Sequence, residues 1–129
     1  MGWLWIFVFA SMGLLLEGLH GFKAGLYLDV GNEVRREMWT LAHTHGTLLG
    51  LMQLGFAATL PHVSCSERRM RRLSRLLIVA AVLLPCGFVL GGVVIHGGDP
   101  GLGILLVPVG ALALVVASGL LVLSLADVR

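Results

Sequence analysis

Four long apolar runs, Trp3–Leu28, Met38–Pro61, Leu73–His96 and Leu102–Ala126, take up most of the chain, and short polar stretches separate them. Each run reaches the roughly 20 residues that a helix rising about 1.5 Å per residue needs to cross about 30 Å of hydrocarbon. The runs are continuous in Leu, Val, Ala and Gly, without the alternation that marks the strands of a membrane barrel. The pattern predicts an all-α integral membrane protein, with one transmembrane domain over residues 1–129. The first run reads as a helix and not as a cleaved leader. No basic residue precedes Trp3, and the run continues through Glu17, His20 and Lys23 without a small-residue cleavage site.

The three connections, Asp29–Glu37, His62–Arg72 and Gly97–Gly101, are too short for a crossover, so successive helices are expected to be antiparallel neighbours in an up-down-up-down four-helix bundle. Gly13, Gly21 and Gly25 on the first helix, and Gly87 and Gly91 on the third, offer flat stripes for close packing. Pro85 and Pro108 are expected to kink the third helix and start the fourth, and Gly97-Gly98-Asp99-Pro100-Gly101 to form a tight turn. Arg68, Arg69, Arg71, Arg72 and Arg75 gather around the second connection. In the first connection Arg35 and Arg36 are balanced by Asp29, Glu33 and Glu37, and the third carries only Asp99. The excess of arginine places the second connection and both termini on the cytoplasmic side of a bacterial-type inner membrane.

Composition narrows the picture further. The 129 residues are 57% hydrophobic and 12% charged, and the charged share of a soluble domain is about a quarter. No stretch is left for a soluble domain, and a net charge of +2 fits the membrane topology and not nucleic-acid binding. Cys65 and Cys86 fall in different environments and read as unpaired thiols. A nucleophile elbow, a phosphate loop and an HExxH motif are all missing from the sequence, so any reaction would rest on a bound redox cofactor.

An ionisable side chain inside a bilayer is costly unless paired, which makes each one a functional candidate. The candidates are Glu17, His20 and Lys23 in the first helix, His43 and His45 in the second and His96 at the end of the third. With antiparallel neighbours, His20 and His45 fall about 7 Å, and His43 about 10 Å, to the outer side of their helix midpoints. Glu17 and His20 lie about 60° apart on one helix face, whereas His43 and His45 differ by about 200° and cannot both face the bundle axis. His43 shares its face with Gly46, Thr47 and Gly50 and is placed inside; His45 turns to a neighbouring helix, a cofactor edge or a partner.

Neutral imidazoles on facing helices are the usual axial ligands of haem in bundles, so His20 with His43 or His45 predicts a haem b site, or one for copper or another transition metal. Arg35 and Arg36 would meet the propionates, Lys23 would reach the same surface, and Glu17 would orient a ligand or accept a proton. The segment Trp39-Thr40-Leu41-Ala42-His43-Thr44-His45-Gly46-Thr47-Leu48-Leu49-Gly50 resembles the histidine-bearing helices of haem–copper oxidase catalytic subunits, and small uncharacterised four-helix membrane proteins with a His-x-His pair. The resemblance spans about a dozen residues and implies a haem or copper ligand role for His43 or His45. Two other readings stay open. Glu17 and the histidines would form a proton relay opening outward, or would simply fix helix register in an accessory subunit. The expected partners are the bilayer, a redox partner or larger membrane complex and, for an oligomer, a second copy.

Overall fold

A computed structural model describes residues 1–29, 31, 33–62 and 66–126. The described chain is almost entirely helical: α1 (Gly2–Gly21), a single turn α2 (Gly25–Leu28), α3 (Glu33–Thr59), α4 (Glu67–Val93) and α5 (Leu106–Ala126). Three helices, Gly2–Gly21, Glu67–Val93 and Leu102–Ala126, are long and apolar enough to cross a membrane. α3 has the length, at 27 residues, but Thr40, His43, Thr44, His45, Thr47 and Gln53 lower its hydropathy.

The ends of the apolar runs differ from the ends of the helices, for local reasons. The first run does not continue to Leu28 as one helix, because α1 closes at Gly21. Lys23 takes a left-handed φ of 51°, Ala24 N–H reaches back to Leu19 O at 2.9 Å and Lys23 N–H to His20 O at 3.1 Å. This pair of bonds is the Schellman closure of a helix, with lysine where glycine is usual. α3 begins at Glu33 and not at Met38, since Glu33 suits the positive end of the helix dipole and pairs with Arg36 one turn on, at 3.9 Å. α4 likewise begins well before Leu73. The Ser66 hydroxyl accepts from Arg69 N–H, and Glu67 pairs with Arg71 at 3.0 Å, so most of the arginine run is helical.

His96 is not on a helix. It lies in a two-residue strand, β1 (Ile95–His96), which pairs antiparallel with β2 (Asp99–Pro100). Gly97 and Gly98, at φ 60° and 91°, supply the two left-handed residues of a type I′ turn. A 3-10 turn, Leu102–Leu105, then leads into α5, with Pro108 in its first turn. Pro85 is buried within an unbroken α4. Cys86 is a free, half-buried thiol; Cys65 lies outside the described residues.

Each long helix packs on the next in the chain, α1 on α3, α3 on α4 and α4 on α5. The contacts run in opposite senses along each pair. Gly2 approaches Gly50 while Gly13 approaches His43, and Gly92 meets Trp39 while Phe88 meets His45. Gly91 meets Ile104 while Gly110 meets Leu84. The core is built chiefly by α3 and α4, with Ala42, Leu49, Ala80, Ala81, Leu84 and Phe88 at its centre and Phe56, Leu73 and Leu77 toward the α3–α4 connection. α1 and α5 leave large apolar side chains outside, among them Phe7 at 70%, Leu14 at 76% and Val115 at 67% exposure. A continuous apolar exterior of this kind is what hydrocarbon, and not water, tolerates.

Candidate functional site

The site forms where α1 ends and α3 begins. A cavity of about 390 Å³ between them is lined by Gly13, Glu17, His20, Tyr27, Thr40 and His43, with Ala10, Leu14 and Leu16 completing its wall. It shares His20, Tyr27 and Thr40 with a wider mouth of about 530 Å³, whose other sides are Glu33, Arg36, Glu37 and Leu41. The break at Gly21 creates this arrangement, because the chain turns back at Lys23 and α2 lays Tyr27 against α3.

His43 is held by two features of α1. Its Nδ1 lies 2.6 Å from Phe9 O; a carbonyl oxygen only accepts, so Nδ1 carries a proton, and in the neutral tautomer that this selects the lone pair is on Nε2. Its ring occupies the notch left by Gly13, where a Cβ would stand 2.3 Å from the His43 Cε1. A histidine whose Nδ1–H is anchored on a carbonyl while Nε2 remains basic is the arrangement found in metal-ligating imidazoles. His20 is exposed at the cavity rim, and its ring meets Tyr27 edge-on, with centroids 6.5 Å apart. Tyr27 is only 4% exposed, and its hydroxyl lies 3.4 Å from Thr40 Oγ1.

His45 does not join them. Its Nδ1–H donates to Leu41 O one turn back, at 2.8 Å, and its ring packs 4.9 Å from that of Phe88 on α4. His43 and His45 therefore turn to opposite neighbours, as their angular separation on the helix requires. No match to this chain was found among protein-family models, curated proteins or solved structures.

Of the sequence candidates, Glu17, His20 and His43 line one cavity and Arg36 lines its mouth. Lys23 stands exposed at the helix break. Arg35 points to α4, where Nε donates to Gly92 O at 3.0 Å and a terminal nitrogen to Val93 O at 3.4 Å, while the other terminal nitrogen reaches Leu26 O at 3.2 Å. Its guanidinium also lies 5.8 Å from the Trp39 ring. Arg35 thus caps the last carbonyls of α4 and ties together three stretches of chain. Arg35→Ala is expected to lower stability by about 1–2 kcal/mol, as three charged hydrogen bonds to backbone carbonyls are lost, the one to Gly92 O part-buried; thermal unfolding in detergent checks it, and an unchanged midpoint would show the contacts to be idle.

Among the described residues, no group of three or more His, Cys, Asp or Glu side chains is arranged to hold a metal ion. His20, His43 and His45 are thus not gathered into one set. Tyr27 and Thr40 were not picked out by the sequence pattern. The signal for Tyr27 was its standing as the single tyrosine of the chain, in a run where a polar tip needs a partner.

Proposed function

We propose that the chain is a multi-pass protein of a bacterial-type inner membrane, a four-helix up-down-up-down bundle with both ends cytoplasmic, that binds haem b near the outer surface. In this reading it transfers electrons as a subunit or partner of a larger membrane oxidoreductase. The antiparallel register of successive helices supports four crossings, with His43 of α3 turned to α1 and His45 to α4. The arginines from Arg68 to Arg75 support the orientation.

One observation carries the cofactor assignment: His43 offers an anchored imidazole with a free Nε2 in a cavity that His20 also lines. Haem takes one or two axial donors, which this pair would supply, whereas a bare copper or zinc ion needs three or four. Arg36 at the mouth suits a propionate, while Glu17 and Tyr27 border the same space and can take hydrogen bonds or a proton. The bound haem would supply one-electron redox chemistry, and the chain would supply its ligands, its orientation and its exclusion from water.

The protein purified in mild detergent from cells supplied with haem is expected to show a Soret band with the sharp bands of a six-coordinate, low-spin haem. A colourless protein that also lacks iron by elemental analysis would remove the assignment. The competing reading is a structural role, favoured by the two Nδ1 bonds, which lock His43 to α1 and His45 to its own helix. A colourless but fully folded protein would select it.

A further inference from the structure

The first turns of α4 divide their arginines into two sets. Arg71 is held by Glu67 at 3.0 Å, and Arg69 is engaged as well. Arg68, Arg72 and Arg75 are exposed and make no hydrogen bond or ion pair among the described residues. At about 100° per residue these three lie within about 60° of one another, and about 140° around the helix from the buried stripe of Leu73, Leu77, Ala80 and Leu84. Among the described residues Glu67 is the one carboxylate at this end of the helices, and Arg71 already neutralises it. Three guanidinium charges on one open face therefore stand unbalanced. The same arc of α4 continues in Val79, Leu90 and Val93, at 39%, 50% and 51% exposure.

A face that is cationic over two turns and apolar over the next four is complementary to an anionic amphiphile, whose phosphate meets guanidinium groups while its chains follow the apolar part. A soluble anion would use the arginines alone, and an acidic protein segment would leave the valines and Leu90 uncovered. We infer that this face of α4 binds an anionic phospholipid, with Arg68, Arg72 and Arg75 sharing its headgroup and Val79, Leu90 and Val93 receiving an acyl chain. The three arginines span about 10 Å along the helix axis, a distance that their long, flexible side chains bridge. The inference rests on the membrane placement proposed above and not on haem.

The test titrates the full chain in maltoside micelles with phosphatidylglycerol or phosphatidylcholine carrying the same fluorescent acyl chain. Both lipids present a phosphate, but only the first keeps a net negative charge, and it is expected to bind about tenfold tighter or more. Arg68→Gln, Arg72→Gln and Arg75→Gln are each expected to weaken phosphatidylglycerol about fivefold and to leave phosphatidylcholine unchanged. Glu67→Gln/Arg71→Gln, which removes an ion pair at constant net charge, and Lys23→Gln, which removes a charge at the other end of the helices, are expected to bind both lipids as the unmodified protein does. Equal affinity for the two lipids overturns the site, and so does an equal loss from Lys23→Gln and Arg72→Gln, which would be an effect of net charge alone. Displacement of phosphatidylglycerol by a soluble polyglutamate peptide at constant ionic strength also overturns it, in favour of an acidic protein segment. The Soret band, which reports on His20 and His43 at the far end, is expected to be the same in the three arginine variants, so failure here and failure of the haem reading are told apart. A chain that stays dispersed in buffer without detergent would fail the membrane reading itself.

Discussion

Alanine at Gly46 is expected to destabilise the protein by about 2–3 kcal/mol, the upper range for overpacking a filled interior. A Cβ at this position would stand 2.2 Å from Cγ and Cδ2 of Phe9. Phe9 cannot easily yield, because it is 5% exposed and lies against Trp5 at a centroid distance of 5.6 Å. The methyl group would have to push α1 away from α3. The same substitution at Gly18, where no atom lies within 4 Å, is expected to leave stability unchanged or raise it by up to about 1 kcal/mol through helix propensity. Unfolding midpoints in one detergent compare the two. Phe9→Leu in the Gly46→Ala background is expected to recover much of the loss, and a double-mutant cycle isolates that coupling. Strict additivity would mean that the ring and the glycine do not set the spacing of α1 and α3. The contact bears on function because His43, one turn before Gly46, hangs from the carbonyl of this same Phe9.

The long helices and their order were legible in the runs of apolar residues, since only continuous hydrophobicity satisfies a hydrocarbon surround. Their ends were not. An apolar run marks the part of a helix that can face lipid, while the Glu33–Arg36 and Glu67–Arg71 pairs carry α3 and α4 beyond it in polar residues. The break after Gly21 was hidden because its left-handed residue is Lys23 and not a glycine. That break is also what turns Tyr27 toward His20, so one unreadable dihedral concealed the Tyr27 side of the cavity wall. Angular spacing alone separated His43 from His45, but which neighbour each one meets depended on Gly13 and Phe88, side chains from other helices. Arg35 read as a loop cation. Its place in the first turns of α3 sets it beside the carbonyls of Gly92 and Val93, a long-range contact that no local pattern announces.

His43→Ala is expected to abolish the Soret band, while His45→Ala keeps it. The two residues are a near-matched pair, because both are half-buried, both sit on α3 and both anchor Nδ1 on a carbonyl. They differ in what surrounds the rest of the ring: the cavity with Glu17 and His20 for His43, the Phe88 ring for His45. A general loss of packing would strike both variants, whereas loss of an axial ligand strikes one. His20→Ala should behave differently again, because His20 sits exposed at the rim and its removal leaves His43 anchored. Conversion to a five-coordinate, high-spin spectrum with weakened retention of haem is expected there. His43→Gly leaves a vacant imidazole-sized space above Gly13, so added imidazole is expected to restore the low-spin spectrum, an outcome that a purely structural role for the ring would not produce. If His45→Ala bleaches the protein and His43→Ala does not, the ligand lies on the α4 side of α3 and the cavity between α1 and α3 is not the haem site.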